Sequence, residues 1–400
     1  MTDPLGQSQV LPYLVGLSEK GYKFTILSFE KKERFEKFRK VIEKITDDAG
    51  IEWVPLSFST WPPVLAKYYD VIRMKRKVLS LHHRYKYDML HCRSYLAANL
   101  GLLMKRKRNL KFLFDMRGFW ADEKKDGGAW NQDRFIYRKI YQYYKRKEAE
   151  FVHDADSIIS LTQAGKNEIM KWPSYNKEVP MFVIPCCADM NHFSLTSPDE
   201  KMKGREKLGL PQQSLVISYL GSIGSWYMVN EMLELFSVIK QKYKGAKFLF
   251  ITHSQPQLIL SELKRYKINE DEVVIKEATR NEVPLYMKAS DISISFIKPV
   301  YSKLSSSPTK LGEILAMGIP VIVNSGVGDV EKIVNETKSG YVLHEFNKKE
   351  YEKVADSVDK LMDISPSLIR ENGQPVYSLQ KGVEKYNECY SWIFRKENNS

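Results

Sequence analysis

Short apolar runs alternate with amphipathic stretches along almost the whole chain. The apolar runs are Phe24–Phe29, Tyr87–Leu90, Lys111–Met116, Ser157–Leu161, Phe182–Pro185, Val216–Leu220, Lys247–Thr252, Ile292–Phe296 and Ile319–Asn324. They lack a clear alternation of apolar and polar residues, which is typical of parallel strands buried on both faces. Amphipathic stretches such as Val229–Tyr243 and Pro308–Met317 indicate helices between the strands. The pattern therefore predicts an α/β protein with doubly wound sheets.

A polar stretch between Pro185 and Pro211 divides the chain into two halves of similar size. A new series of strands and helices begins after it, so the pattern predicts two Rossmann-like domains facing a central cleft. We place the first domain at residues 1–190 and the second at residues 191–375. A last helix is expected within residues 376–400.

The first clear strand is preceded by a loop, Asp3–Gly6, and by a predicted helix at about Gln7–Lys20. In a doubly wound domain such a loop and helix normally follow a strand. We therefore expect that a first, central strand is missing, because the chain is truncated or its coding start lies upstream of Met1. Without that strand the first sheet would contain a hydrophobic slot.

Composition supports a globular protein of two domains. The chain has 400 residues, of which 43% are hydrophobic and 28% charged. Its four cysteines show no metal-ligand spacing, so we expect no metal site, no disulfide framework and a reducing, cytoplasmic compartment. We find no run of about 18 apolar residues that could span a membrane. We also expect no secretory signal, because the first residues lack its apolar core.

The positive charge is concentrated in the first half. Residues 1–190 contain 34 Lys and Arg against 23 Asp and Glu, a difference of +11, whereas residues 191–400 contain 28 against 26, a difference of +2. An anionic partner is therefore expected, and nucleic acid, phospholipid headgroups and a phosphorylated substrate all qualify. The basic runs alternate with aromatic and apolar residues, which fits either an anionic membrane surface or solvated helix faces. These runs are Arg73–Lys77, His82–Lys86, Lys105–Lys111 and Lys145–Lys147.

A short helix in the second half has the layout of an anion site. Ser307 is a good N-cap and Pro308 suits the first helical position. The free N–H groups of Thr309 and Lys310, together with the lysine charge, would bind an anion. Glu313 lies one turn further on the face of Thr309, where its carboxylate could accept two hydrogen bonds from a ribose diol. The alternative is an ordinary capped helix with a solvated glutamate.

The first half offers weaker candidates. Gly6 lies in the predicted loop before the first helix, where backbone N–H groups could meet a phosphate or a sugar. The alternative is that Gln7 and Ser8 cap that helix instead. Asp115 and Arg117 end an apolar strand at the edge where open α/β sheets bind ligands. Arg117 and Asp115 are the candidate catalytic residues: Arg117 could pair with a diphosphate or an acceptor, with Asp115 orienting it. The alternative is that the two form a structural ion pair.

Residues 121–130 are rich in charge and glycine and predict a loop. Asp122, Glu123 and Asp126 are candidate acceptor contacts on that loop. The alternative is a plain solvated loop.

The segment SPTKLGEILAMGIPVIVNSGVGDVEKIV resembles the donor-binding segment of family 4 glycosyltransferases, which are retaining enzymes with the GT-B fold. Other segments resemble the family in its order along the chain. They are DPLGQSQVLPYLVGLSEKGYKFTILSF, FDMRGFW, ADSIISLTQAGKNEI, VIPCCADMNHF, YLGSIGSWYMVNEMLELF, KEATRNEVPLYMKASDISISF and YSLQKGVEKYNECYSWIF. The resemblance covers nearly the whole chain and implies that the two predicted domains form a GT-B fold. It also implies that the first domain binds the acceptor, that the second binds the nucleotide sugar, and that the last helix, within residues 376–400, crosses back onto the first domain.

The resemblance implies roles for particular residues. Glu313 matches the second of the family's two glutamates, which holds the ribose, whereas the first is replaced by Ser305. Ser222 and Tyr227 take the places of the family's usual arginine and lysine, and Arg117 that of a histidine. The residues implied to donate hydrogen bonds to the diphosphate and the sugar are Ser307, Thr309 and Lys310.

The resemblance also implies an activity. A sugar would pass from a nucleotide-diphosphate donor to a glycan or lipid-linked acceptor with retention, in cell-envelope or exopolysaccharide synthesis. No metal and no cofactor are expected, and the protein would be cytoplasmic, or peripheral at the inner face of the cell membrane.

Three alternatives remain open. One is a non-catalytic GT-B scaffold, which the missing strand and the missing glutamate favour, and another is a GT-B relative such as a sugar-nucleotide epimerase. A basic nucleic-acid-binding protein is the third, but no zinc finger, helix-turn-helix or aromatic RNA-binding motif is present, so no nucleic acid is expected.

Overall fold

The computed structural model describes residues 1–59 and 63–395. Within them the strands form three parallel sheets. The strands are β1 (Thr25–Glu30), β2 (Glu52–Ser57), β3 (Met89–Arg93), β4 (Lys111–Asp115), β5 (Ser157–Ser160), β6 (Met181–Val183), β7 (Val216–Leu220), β8 (Lys247–Ile251), β9 (Val273–Lys276), β10 (Ile292–Ser295), β11 (Val321–Asn324) and β12 (Gly340–Leu343).

Helices connect these strands on both faces of the sheets. They are α1 (Pro4–Gln9), α2 (Leu11–Ser18), α3 (Lys32–Asp48), α4 (Pro63–Tyr85), α5 (Ser94–Arg108), α6 (Trp120–Asp126), α7 (Phe135–Asp154), α8 (Gln163–Ile169), α9 (Pro198–Leu208), α10 (Val229–Lys242), α11 (Gln257–Leu263), α12 (Val283–Met287), α13 (Thr309–Ala316), α14 (Val330–Thr337), α15 (Lys348–Met362), α16 (Pro366–Tyr377) and α17 (Leu379–Arg395). A 3-10 turn at Tyr301–Ser305, called the 301–305 turn below, precedes α13.

The first half contains two separate parallel sheets. Strands β1 and β2 pair along their whole length, and β3, β4, β5 and β6 form the second sheet in chain order. Every residue of β5 is buried, as expected for a strand covered on both faces. The expectation of a further central strand upstream of Met1 stays a prediction.

The second half is one six-stranded parallel sheet in the order β12-β11-β10-β7-β8-β9. The chain order reverses between β7 and β10, and the crevice at the carboxyl ends of such strands is where open α/β sheets bind ligands. Two apolar clusters cover the faces of this sheet. One contains Leu311 and Ile314 of α13, and the other contains Leu233 and Phe236 of α10.

The last helix packs on the first half of the chain. Tyr386 and Tyr390 of α17 lie in one apolar cluster with Tyr13 and Leu17 of α2. The rings of Tyr13 and Tyr386 meet edge to face, with centroids 5.2 Å apart. The predicted domain limits at 190 and 375 remain predictions, and residues 396–400 lie outside the described part.

Several local predictions are wrong. The expected strand at Tyr87–Leu90 is shifted, because β3 runs from Met89 to Arg93. The segment Asp3–Gly6 is not a loop, since α1 begins at Pro4 and includes Gly6. The predicted helix at Gln7–Lys20 is divided at Val10 into α1 and α2. Strands β2, β9 and β12 were not predicted, because their apolar runs are short and lie beside polar residues.

Candidate functional site

Helix α13 starts with Thr309 at the carboxyl edge of the six-stranded sheet, and Pro308 is its N-cap. The prediction of Ser307 as the cap is therefore wrong. The Ser307 hydroxyl instead accepts a hydrogen bond of 3.1 Å from the backbone N–H of Cys186, in the first half. The first N–H groups of α13 have no partner within the helix and carry the positive end of its dipole. An anion can bind at this helix start.

Lys310 lies buried in the first turn of α13, and aromatic rings surround its ammonium group. The Nζ atom is 3.9 Å from the ring centroid of Tyr227 and 4.4 Å from that of Tyr219. It also donates a 3.3 Å hydrogen bond to the Tyr219 hydroxyl. In the described part of the chain, no carboxylate lies within ion-pair distance of it. Burial lowers the pKa of Lys310 to about 7, although the Glu313 charge opposes the shift.

Tyr227 belongs to this site through its own ring, and Ser222 belongs to it through Tyr219. The Tyr219 hydroxyl donates a 2.7 Å hydrogen bond to the backbone carbonyl of Ser222, so the strand end, the loop and Lys310 form one unit. Tyr219 was missed by the sequence analysis. In the sequence, the available signal was its position near the end of an apolar run, two residues before Gly221. In the structure, a Cβ atom added at Gly221 would lie 2.8 Å from the Lys310 Nζ atom.

Glu313 lies one turn behind Lys310 and is also buried. Its nearest cation is Arg280, whose Nη1 atom is 3.5 Å from the Glu313 Oε1 atom. Burial raises the pKa of Glu313 to about 7, and Arg280 opposes that shift. Arg280 was not predicted, since it comes from a loop far away in the sequence. Thr309 is half-buried at the first helical position, on the face of Glu313.

Asp115 and Arg117 lie in a buried cluster of charges at the end of β4. The Asp115 carboxylate accepts a hydrogen bond of 3.1 Å from the Tyr386 hydroxyl and lies 3.3 Å from His91. Arg93 and Arg117 lie 3.5 and 3.7 Å from it. Burial alone would raise the pKa of Asp115, but these neighbours, Arg117 foremost, hold it well below its usual range.

The Arg117 side chain points toward the start of α13. Its Nη2 atom donates to the Cys186 Sγ atom at 3.1 Å, and Cys186 in turn contacts Ser307. The Nη1 atom is buried without a hydrogen-bond partner among the described residues. Arg117 has a φ of 57°, and Gly118 has a φ of 115°. A strained turn therefore brings this guanidinium group to the domain boundary.

Gly6 has a packing role in the structure. A Cβ atom at this position would lie 2.5 Å from the carbonyl oxygen of Met1, so only glycine fits. Helix α1 nevertheless adjoins the charged cluster, since Arg93 donates a 3.0 Å hydrogen bond to the Gln9 carbonyl.

The predicted loop at 121–130 is wrong for its first half, because α6 occupies residues 120–126. The Asp122 side chain is buried rather than solvated. It accepts hydrogen bonds from the Tyr141 hydroxyl at 2.7 Å and from the Lys145 ammonium at 2.9 Å. These partners on α7 hold the carboxylate inward, which composition did not reveal.

Glu123 and Asp126 contact the second half of the chain. The Glu123 carboxylate accepts a hydrogen bond of 2.5 Å from the Lys303 ammonium group. The Asp126 carboxylate accepts one of 3.0 Å from the backbone N–H of Ser302. Lys303 also lies 3.8 Å from the ring centroid of Trp226. Glu123 and Asp126 therefore join α6 to the 301–305 turn.

Ser305, at the place of the family's first glutamate, is buried in the same contact. Its hydroxyl accepts a 2.8 Å hydrogen bond from the backbone N–H of Phe119. A second contact joins the domains through Asp329, whose carboxylate accepts from the backbone N–H groups of Gln163 and Ala164. The two halves thus meet directly on one side of α13.

The two halves, each built on parallel sheets with helices on both faces, form the GT-B fold, as predicted. Two family models match the chain. Residues 9–192 match the model described as glycosyltransferase family 4, and residues 200–373 match the one described as glycosyl transferases group 1. The two halves therefore match two glycosyltransferase domain families, which together span most of the chain, and the fold is that of GT-B glycosyltransferases.

Solved structures show the same fold at low sequence identity. HepE from Anabaena, in complex with UDP and glucose, has a TM-score of 0.67 at 12% identity, covering 98% of this chain and 97% of its own. Sucrose-phosphate synthase from Thermosynechococcus elongatus has a TM-score of 0.66 at 14% identity, covering 94% of this chain and 99% of its own. A glycosyltransferase from Rickettsia africae has a TM-score of 0.65 at 17% identity, covering 98% of this chain and 96% of its own. A comparison with curated protein sequences gives no match.

Among the residues that the structure describes, no helix is both long enough and apolar enough to cross a membrane. The same residues contain no group of three or more His, Cys, Asp or Glu that could hold a metal ion.

Proposed function

We propose that this protein transfers a sugar from a nucleotide-diphosphate donor to a glycan or lipid-linked acceptor with retention, without a metal, in cell-envelope or exopolysaccharide synthesis. One observation carries the proposal. Lys310 is a buried cation at a helix start, surrounded by aromatic rings, with no carboxylate within ion-pair distance in the described residues. Burial of the Lys310 ammonium group costs free energy, and an anionic ligand bound beside it would offset that cost and favour the charged form.

The donor would lie across the domain boundary. Its diphosphate would meet Lys310 and the N–H groups of Thr309 and Lys310, and Arg117 would approach from the first domain. Glu313 would accept hydrogen bonds from the ribose. The base would lie beside residues 276–279, at the end of β9.

The reaction needs little covalent chemistry from the protein. In the transfer we propose, the bond between the sugar and the diphosphate breaks as the acceptor oxygen attacks from the same face, and a departing phosphate oxygen takes the acceptor proton. Lys310, Arg117 and the α13 dipole would stabilise the negative charge that develops on the diphosphate. The domain contacts at Ser305 and Asp329 would exclude water while the acceptor is positioned.

Thermal unfolding with UDP, GDP and CDP tests the donor site. A ligand at about 100 times its dissociation constant adds roughly 2.7 kcal/mol of stability. We expect one nucleotide to raise the unfolding midpoint of the wild type but not that of Glu313→Ala. Glu336→Ala, which removes an exposed carboxylate of α14, is the matched control and should keep the shift. Folded wild-type protein that responds to no nucleotide would contradict the proposal and favour a non-catalytic scaffold.

We also propose that the first domain approaches an anionic membrane surface, where a lipid-linked acceptor would lie. On α4 the side chains of Tyr68, Tyr69 and Val71 are exposed, and basic residues follow them. Apolar side chains beside basic ones on one helix suit the surface of a membrane that contains anionic lipids.

Sedimentation with phosphatidylglycerol vesicles tests the membrane surface. The double variant Lys75→Glu/Arg76→Glu reverses two exposed charges of α4 and should lose binding. The matched control is the double variant Lys348→Glu/Lys349→Glu on α15 of the second domain, which should bind like the wild type. If the two double variants bound the vesicles equally well, the proposal that α4 binds a membrane would be contradicted.

A further inference from the structure

A cavity of about 390 Å³ lies on the flank of the first domain. Its walls come from α6, α7 and the segment after α8, and Tyr301 of the second half completes it. The residues that form the site at the start of α13, called the α13 site below, do not line this cavity; they are Tyr219, Tyr227, Lys310 and Glu313. Its volume lies in the range of small-molecule sites, which is about 300–1,000 Å³.

Aromatic rings form one part of the wall. The rings of Trp172 and Tyr301 both pack on Phe119, with centroid distances of 5.3 and 5.4 Å. The Tyr301 side chain is nevertheless 39% exposed. Held in this way, the two rings lose little conformational entropy when a ligand binds. Flat aromatic faces of this kind pack well against the C–H faces of sugar rings.

Polar groups form the other part. The buried carboxylates of Asp122 and Glu148 share the ammonium group of Lys145, which also lies 4.7 Å from the Trp172 ring centroid. The Tyr141 hydroxyl donates to Asp122. The partly exposed Lys145 ammonium and Tyr141 hydroxyl, fixed by these buried carboxylates, are suited to hydrogen-bond the hydroxyl groups of a ligand.

The charges of the wall balance. Asp122 and Glu148 are matched by Lys125 and Lys145, so the cavity carries no net charge that would select an anion. Its chemistry differs in this respect from that of the α13 site. An uncharged ligand with many hydroxyl groups and an apolar face fits the wall best.

We propose that this cavity is a carbohydrate-binding subsite that takes a neutral sugar residue of the acceptor glycan, outside the donor site. The identification of the sugar as part of an acceptor rests on the proposed function. Because Tyr301 begins the turn that leads to α13, a sugar bound here would contact both halves of the protein.

Saturation-transfer NMR tests the subsite directly, with the methyl glycosides of glucose, galactose, mannose and N-acetylglucosamine as probes. We expect at least one glycoside to give a signal with the wild type. Ser174→Trp, which fills the cavity without removing the polar cluster, should abolish the signal. Trp172→Ala should weaken binding about tenfold through the lost ring contact, and Trp172→Phe should retain it.

Two results would overturn the subsite: no signal from any probe with folded wild type, or an unchanged signal with Ser174→Trp. The UDP, GDP and CDP midpoints measured on the same samples separate the two proposals. Glycoside binding without any nucleotide response supports the subsite and contradicts the donor site. Nucleotide response without glycoside binding rejects the subsite alone.

Discussion

Asp115 and Lys310 are both nearly inaccessible to water, but the protein treats their charges in opposite ways. Asp115 has two arginines, a histidine and a tyrosine hydroxyl within 3.7 Å. Lys310 has aromatic faces and one tyrosine hydroxyl. The comparison separates two uses of buried charge. The Asp115 carboxylate is compensated by cations in the free protein and holds the end of β4 in place. The Lys310 ammonium has no opposite charge within ion-pair distance in the described residues and is suited to an anionic ligand.

The largest expected effect is the loss of folding stability when Asp115 is replaced. Asp115→Ala should destabilise the fold by about 3–5 kcal/mol, because it leaves Arg93 and Arg117 facing each other without their shared carboxylate. Urea unfolding measures the loss. Asp115→Asn, which keeps the shape and the Tyr386 contact, should lose less. If Asp115→Ala proved as stable as the wild type, the cluster would not be a structural element and the contrast with Lys310 would disappear.

The second effect is a gain of folding stability when Lys310 is replaced, and its size depends on pH. The pKa of Lys310 falls from about 10.5 to about 7 on folding, so below about pH 7 the lysine is charged in both states and its burial cost is fully present. As the pH rises from about 7 to about 10.5, the folded protein has already released the proton, and the cost falls progressively to zero. Lys310→Met should therefore stabilise the free protein by roughly 1–4 kcal/mol below pH 7 and much less above pH 10.5.

The measurement is urea unfolding of both proteins across this pH range. Lys332→Met, which removes an exposed lysine of α14, is the control and should change stability little at any pH. The same Lys310→Met protein should lose the nucleotide-induced rise in midpoint. A variant destabilised at low pH would show that Lys310 is compensated after all.

The smallest effect concerns the hydrogen bond between Ser305 and Phe119, which joins the two halves of the chain. Ser305→Ala should cost about 1–3 kcal/mol, because the buried N–H group of Phe119 loses its acceptor. Ser305→Thr keeps a hydroxyl in this position and serves as the comparison in the same urea experiment. A Ser305→Ala protein that unfolds like the wild type would mean that the contact at Phe119 opens readily in solution.

Much of the fold was predictable because buried parallel strands leave strong local patterns. Val216–Leu220, for example, is a mostly apolar run that forms β7, as predicted. The start of α13 was predicted to within one residue, but its cap was not, since the Ser307 hydroxyl is engaged by Cys186 from the other half. The first half was harder. Residues 121–130 look hydrophilic, yet part of them forms a helix whose Asp122 is held by tertiary contacts.

The sequence by itself determined the α/β class, the two halves and the turn that carries Thr309, Lys310 and Glu313, because strand burial and helix starts depend on neighbouring residues. Only the tertiary structure decided that Lys310 lies between two tyrosine rings, that Arg280 pairs with Glu313, and that Ser305 is buried against Phe119. Burial and charge compensation depend on groups far apart in the chain. No local pattern records which of them meet.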